Sequence, residues 1–259
     1  MLLAYLRYLS RARDEHSLHS PYLFALYTQV IRPEKSSRKP FKAIQALRKQ
    51  LSRSSQRITI SDFGAGSKVN ASRQRTVSDI TRHSTKPARF GRLLFRLIQW
   101  SGAKNIIDLG TSLGVTTAYL AEATRPYGGR VLTFEGCSET AAIAQQNFTQ
   151  LGIQNVTVVV GNLNQTLIAG MALPTSIDFV FFDANHRYEP TVRYFETCLS
   201  AVHNDTIFVF DDIHWSVEME QAWAYIKRHP RVSVTVDLFW VGVVFFRGEQ
   251  PRQDFVLQF

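Results

Sequence analysis

The stretch that most constrains this 259-residue chain is Ile106-Ile107-Asp108-Leu109-Gly110-Thr111-Ser112-Leu113-Gly114-Val115-Thr116-Thr117. An apolar run closes on an acid, two glycines follow, and the amphipathic segment Ala118-Tyr119-Leu120-Ala121 starts at once. The pattern reads as a strand, a tight turn and a helix start. Glycine at Gly110 and Gly114 permits positive φ and lets a ligand approach the main chain closely. In an open α/β sheet, such a turn at a strand's carboxyl end is where nucleotide-like ligands bind. The spacing is Gly-x-x-x-Gly, not the Gly-x-Gly-x-x-Gly of dinucleotide folds, so pyrophosphate is not the obvious guest.

Roughly 25 residues after Asp108 comes Arg130-Val131-Leu132-Thr133-Phe134-Glu135, a second strand closed by an acid. A carboxylate there can accept both hydroxyls of a ribose. This order of motifs resembles the S-adenosylmethionine site of class I methyltransferases. The resemblance implies that Gly110, Ser112 and Thr116, on the turn closed by Gly114, meet the methionine end of the cofactor. It places Glu135 on the ribose, with Asn162 and Leu163 flanking the adenine. Asp108 borders the same site, more as organiser of the turn than as a direct ligand.

The rest of the chain alternates in the same way. Val156–Val160, Ile177–Asp183 and Thr206–Asp212 read as further strands, separated by helices over 140–151, 165–169 and 188–202. A helix over Val217–Arg228 follows, and the strands Val232–Leu238 and Val241–Arg247 close the pattern. Continuous Val, Ile and Phe runs indicate strands buried on both faces, hence a parallel sheet. The last two strands are joined too tightly for a crossover and should pair antiparallel. The expectation is an α/β, Rossmann-like fold with a seven-stranded, mostly parallel sheet and an antiparallel terminal hairpin. Residues 85–259 would form this domain, and residues 1–84 a basic, helical N-terminal extension or lid.

In that extension, apolar residues at helical spacing run through 1–12, and Ser20-Pro21 marks the start of a second helix that ends near Arg32-Pro33. A third, basic helix is expected over 40–51. Ile58-Thr59-Ile60-Ser61-Asp62-Phe63-Gly64-Ala65-Gly66-Ser67 also reads strand, acid, glycine turn. No apolar helix start follows it, so it reads better as a loop near the cleft mouth. Phe90–Trp100 is an apolar-faced helix leading into the central strand.

Charge is uneven. Residues 1–105 hold 21 Lys and Arg against 5 Asp and Glu, and the remainder 9 against 16. A basic surface of this kind suits an anionic substrate, a nucleic acid or a membrane surface, and also fits a merely solvated face. Cys137 and Cys198 form neither a disulfide framework nor a zinc spacing, which fits a reducing compartment. The opening apolar run is too short for a signal sequence, and no run approaches the ~20 residues of a membrane span. The expectation is a cytoplasmic protein.

Asp183, Asp211 and Asp212 fall at the carboxyl ends of two successive strands. Helix capping explains one acid per strand but not a doublet. Crowded carboxylates repel one another unless a proton, a basic group or a metal intervenes, and oxygen ligands suit Mg²⁺ or another divalent cation. Phe181-Phe182-Asp183-Ala184-Asn185-His186 and Phe210-Asp211-Asp212-Ile213-His214-Trp215 resemble two stretches of the caffeoyl-CoA and catechol O-methyltransferase-like family. That resemblance covers residues 85–247 and implies a metal held by Asp183, Asp211 and Asp212, with Asp183 also touching the methionine amine. Asp212 replaces the family's amide, and His186 stands where the family has its catalytic lysine.

The implied reaction is O-methylation of a small-molecule hydroxyl, with His186 and Asp183 as catalytic residues and His186 as general base. His214 reads either as an outer partner of the metal site or as lid packing. Two other readings stay open: an RNA ribose methyltransferase gripping phosphates with the basic N-terminal region, and a non-catalytic cofactor-binding module. The aromatic-rich N-terminal helices could join two copies as a homodimer.

Overall fold

The computed structural model describes residues 2–34, 41–61, 74–171 and 176–259. In chain order the main elements are α1 (Leu2–Arg11), α2 (Pro21–Ala25), α3 (Lys42–Leu51), β1 (Arg57–Thr59), β2 (Gln74–Thr76), α4 (Val77–Ser84) and α5 (Ala88–Ser101). Then come β3 (Asn105–Leu109), α6 (Val115–Thr124), β4 (Arg130–Glu135), α7 (Ser138–Gln150), β5 (Val156–Val160) and α8 (Leu163–Met171). The chain ends with β6 (Ile177–Phe182), α9 (Tyr188–Leu199), β7 (Val202–Asp211), α10 (Val217–Arg228), β8 (Val234–Asp237), β9 (Val241–Phe245) and β10 (Gln253–Val256). The Asp62–Ser67 glycine turn lies outside the described residues.

Two compact units emerge, one from Ser37–Pro174 and the other from Met1–Ser36 with Thr175–Phe259. The N-terminal 84 residues are therefore shared between the two units.

In the Ser37–Pro174 unit, β3, β4 and β5 pair in parallel, with Ile107 opposite Leu132 and Leu132 opposite Thr157. Helix α5 turns Phe90, Leu93, Leu94, Leu97 and Ile98 inward and ends at Gly102 in the left-handed region. It packs on α6, which is buried on nearly every side because α3 and α7 also pack against it. Burying each such Leu or Phe contributes about 1.5–3 kcal/mol. Strands β1 and β2 form a separate antiparallel ribbon.

In the other unit β6 and β7 pair in parallel, β7 and β9 antiparallel, β9 and β8 antiparallel, and β8 and β10 in parallel. Phe179, Phe181, Phe208, Phe210 and Phe245 are fully buried, and the Phe182 and Phe210 rings stack at 4.1 Å. The tight 238–240 connection makes the expected antiparallel hairpin. Helix α1 is anchored through Tyr8, whose hydroxyl donates to Leu257 O at 2.6 Å and whose ring meets Phe239 at 5.4 Å. Helix α2 starts with Pro21 in its first turn, and Ser20 holds the cap position without a side-chain cap hydrogen bond.

The mostly parallel sheet strands number eight across the two units, not seven. The added strand is β10, whose four residues Gln-Asp-Phe-Val show no strand periodicity and which is held by pairing with β8. Thr235 Oγ1 donates to Asp254 Oδ1 at 2.5 Å within that pairing. No helix among the described residues is long and apolar enough to cross a membrane.

Candidate active site

The glycine turn follows β3 directly. Gly110 has φ +118°, and its N–H and that of Thr111 both donate to Phe134 O on β4. Gly114 has φ +79° and forms the N-cap of α6, and a Cβ there would lie 2.7 Å from the Phe148 ring. Glycine is thus required twice over at position 114. Ser112 sits between them at φ +47°, a conformation rare for a residue with a side chain.

Two carboxylates shape this turn. Glu135 Oε2 accepts from Ser112 N at 2.8 Å and Oε1 from Cys137 N at 2.9 Å. Each carboxylate oxygen has two lone pairs, so Glu135 can still accept a ribose hydroxyl. Asp108 is fully buried, and its Oδ2 accepts from Thr117 Oγ1 at 2.7 Å and Thr133 Oγ1 at 2.8 Å. Burial pushes its pKa up to about 6, against the two threonine bonds. Asp108 therefore ties β3, β4 and α6 together.

Thr116 lies in the first turn of α6, and Leu163 opens α8. Asn162 Oδ1 accepts from Asn164 N at 3.0 Å, and its carbonyl accepts from Gln165 and Thr166, so Asn162 also starts that helix.

The strand-end acids belong to the other unit. Asp183 follows β6, and Asp211 ends β7 with only 1% of its surface exposed. Asp183, His186 and Asp211 each offer a ligand atom, and these atoms lie within 4.8 Å of one another. His186 Nε2 is 3.5 Å from Asp183 Oδ1. Burial alone would lower the His186 pKa, but Asp183, Asp211 and Asp212 together raise it above the ordinary value. Two carboxylates and an imidazole are a donor set that fits a divalent ion.

Asp212 stands outside that three-residue group. Its φ is +54°, its N–H donates to Trp240 O at 2.7 Å and its carbonyl accepts from Trp215 N. Asn185, just before His186, also adopts a left-handed backbone at φ +64°. Non-glycine residues in this region each cost about 1 kcal/mol or more and cluster at functional loops. Ser112, Asn185 and Asp212 all lie in the loops that the sequence singles out. The Trp215 ring lies edge-on to His186 at 5.9 Å.

His214 is engaged elsewhere. Its Nε2 is 2.7 Å from Asp237 Oδ2, its Nδ1 is 3.2 Å from Glu220 Oε1, and its ring stacks on Phe239. Asp237 ends a short strand, where an acid carries no sequence motif of its own.

Comparison with known proteins meets the same segment. Residues 107–213 match a family described as a methyltransferase domain. The solved O-methyltransferase from Bacillus cereus in complex with SAH superposes with a TM-score of 0.57 at 20% identity, over 84% of this chain and 94% of that one. The fold is the class I methyltransferase fold. Within it, the chain resembles the catechol and caffeoyl-CoA O-methyltransferase-like proteins. A catechol O-methyltransferase of Niastella koreensis is 33% identical over 127 residues, 48% of this chain and 55% of that protein. Another from Mycobacterium tuberculosis is 31% identical over 49% of this chain and 56% of its own length. The chain thus spans little more than half the length of these curated relatives. The methyltransferase match runs from the glycine turn to the Asp211–Asp212 doublet, so both candidate loops fall inside it.

Proposed function

We propose that this protein is an S-adenosylmethionine-dependent methyltransferase that methylates a hydroxyl oxygen of a small, catechol-like molecule with the help of a divalent metal. The observation that carries the metal-assisted reading is the approach of Asp183 and Asp211 within 4.8 Å at the ends of two buried strands, with His186 beside them as a base rather than a ligand. Small-molecule O-methyltransferases among the relatives support the choice of acceptor.

The Ser37–Pro174 unit takes the cofactor role. Gly110, Ser112, Gly114 and Thr116 supply a backbone that a ligand can approach, Glu135 accepts from the ribose, and Asn162 and Leu163 border the base. Asp108 acts through position, by fixing the turn.

The strand-end acids take the acceptor side. Asp183 and Asp211 would hold the ion, with Asp212 contributing charge from the same loop. A divalent ion held there would supply Lewis-acid chemistry, making a nearby acceptor hydroxyl more acidic. His186, whose nitrogen already faces Asp183, accepts the hydroxyl proton, and Asp183 steadies the resulting imidazolium. Alignment of oxygen and methyl group then supplies most of the rate.

Mass spectrometry of a dihydroxybenzoate incubated with S-adenosylmethionine, with Mg²⁺ and with a chelator, tests the reading. A monomethylated product formed only with metal supports it. Equal turnover in chelator removes the metal from the account.

A further inference from the structure

The charged residues of this chain leave one long gap. Residues 140–177 contain no Asp, Glu, Lys, Arg or His, a run of 38 residues in a chain that is 20% charged. At that share the run would carry about eight charges, and elsewhere the chain goes no further than 16 residues without an acid, Lys or Arg. Within the Ser37–Pro174 unit this run supplies most of α7, all of β5 and all of α8. Its exposed positions are therefore neutral, among them Gln145 and Gln146 on α7, Thr157 and Val160 on β5, and Gln165 and Ile168 on α8. Val160 and Ile168 keep 45% and 68% of their surface exposed.

Strand β5 is also the last strand on its side of the sheet. It pairs with β4 in parallel, and among the described residues no strand lies on its other side. Asn155 O accepts from Val131 N, and Gly161 N donates to Glu135 O, so the odd-numbered residues turn their backbone groups toward β4. An extended strand alternates, so Val156, Val158 and Val160 turn their N–H and C=O groups to the open side. No Lys, Pro or bulge guards this edge, whereas β10 carries Asp254 just after Arg252.

A surface cleared of charge is the compositional mark of an interface core, and an unguarded strand edge is a template for another strand. The charge balance points to the partner. The chain carries +9 at neutral pH, so two copies repel across most of their surface, and this neutral face is where they approach at least cost. The edge also complements itself. In an antiparallel pair centred on Val158, Val156 faces Val160 of the partner subunit, and each such pair exchanges two hydrogen bonds. We propose that β5 and the neutral faces of α7 and α8 form the interface of a two-fold homodimer, joined edge to edge through Val156–Val160.

Sedimentation velocity on the full chain over a range of protein concentrations tests this, with hydrogen exchange of the β5 amides measured alongside. Val158→Pro removes an outward N–H without touching the ladder to β4, at a position where an edge strand tolerates proline. Thr157→Lys places a charge on an exposed site of the same strand, where folding is not at stake. Leu6→Lys, on the exposed side of α1, is the control for a dimer built on the N-terminal helices. The expected result is a wild-type dimer at micromolar concentration that is unchanged in Leu6→Lys. Both β5 variants should weaken it about ten-fold or more, because symmetry removes each contact twice. The Val156, Val158 and Val160 amides should exchange more slowly in the dimer than after dilution to monomer. Added salt should leave the dimer as tight or tighten it, since salt screens the residual repulsion. A monomer at every concentration would overturn the proposal. So would a dimer that Leu6→Lys weakens and Thr157→Lys does not, or one that salt dissolves.

Discussion

Glu135 Oε2 accepts a hydrogen bond from the Ser112 backbone N–H at 2.8 Å, tying the carboxyl end of β4 to the turn that follows β3. Its other oxygen takes Cys137 N. One side chain therefore fixes the glycine turn and remains able to accept from a ligand. Glu135→Ala should weaken S-adenosylmethionine binding by about 10- to 100-fold, from loss of charge-assisted bonds. Glu135→Gln, which keeps one acceptor oxygen, should lose less. Equal affinities across wild type and both variants, measured by calorimetry, would detach Glu135 from the cofactor.

Asp108 links stability to pH. Its folded pKa of about 6 lies above the ordinary carboxyl value of 3.8, so the folded state binds this proton more tightly than the unfolded state. Its contribution is therefore complete below about pH 4, is lost as pH rises through about 6, and amounts to about 3 kcal/mol. Asp108→Asn carries no such titration. Urea unfolding should show the variant gaining on wild type between about pH 4.5 and pH 7. A constant difference across that range would mean that Asp108 is not a buried, titrating carboxyl.

Gly114 is constrained by space as well as by φ. A Cβ there would press on the Phe148 ring at 2.7 Å in a left-handed backbone. Gly114→Ala should cost about 1–3 kcal/mol and lower the melting temperature by several degrees. A variant that melts with wild type would show that the turn relaxes freely.

His186 is the group assigned to the proton. His186→Ala should lower kcat by about 10²- to 10⁴-fold while leaving S-adenosylmethionine affinity unchanged, since the cofactor contacts are assigned to other residues. A drop in cofactor affinity with kcat intact would reverse that assignment.

Much of the fold was legible because buried strands carry apolar runs such as Phe179–Phe182 and Ile207–Phe210, and both of these run into an acid. Strands β2 and β10 were not, whereas β1 falls on the Ile58-Thr59-Ile60 run. Strands β2 and β10 are three and four residues long, at least half polar, and stabilised by pairing with strands elsewhere in the chain, so no local period marks them. The same distinction holds at the site. Strand position alone indicated Asp183, Asp211 and Asp212. That His186 shares the group with Asp183 and Asp211, while Asp212 turns its backbone to Trp240, depends on left-handed residues at Asn185 and Asp212. Asn at position 185 and Asp at position 212 were weak hints, since both residue types tolerate that backbone better than most. The two backbone bonds of Glu135 likewise need the assembled strands before they exist.

Calorimetric titration of S-adenosylmethionine, with and without Mg²⁺, into wild type and Asp211→Asn tests the central claim most directly. The account predicts micromolar cofactor binding by both proteins and a separate Mg²⁺ binding event in wild type that Asp211→Asn abolishes. Cofactor binding without any Mg²⁺ event would leave a methyltransferase that works without metal. No cofactor binding at all would contradict the account.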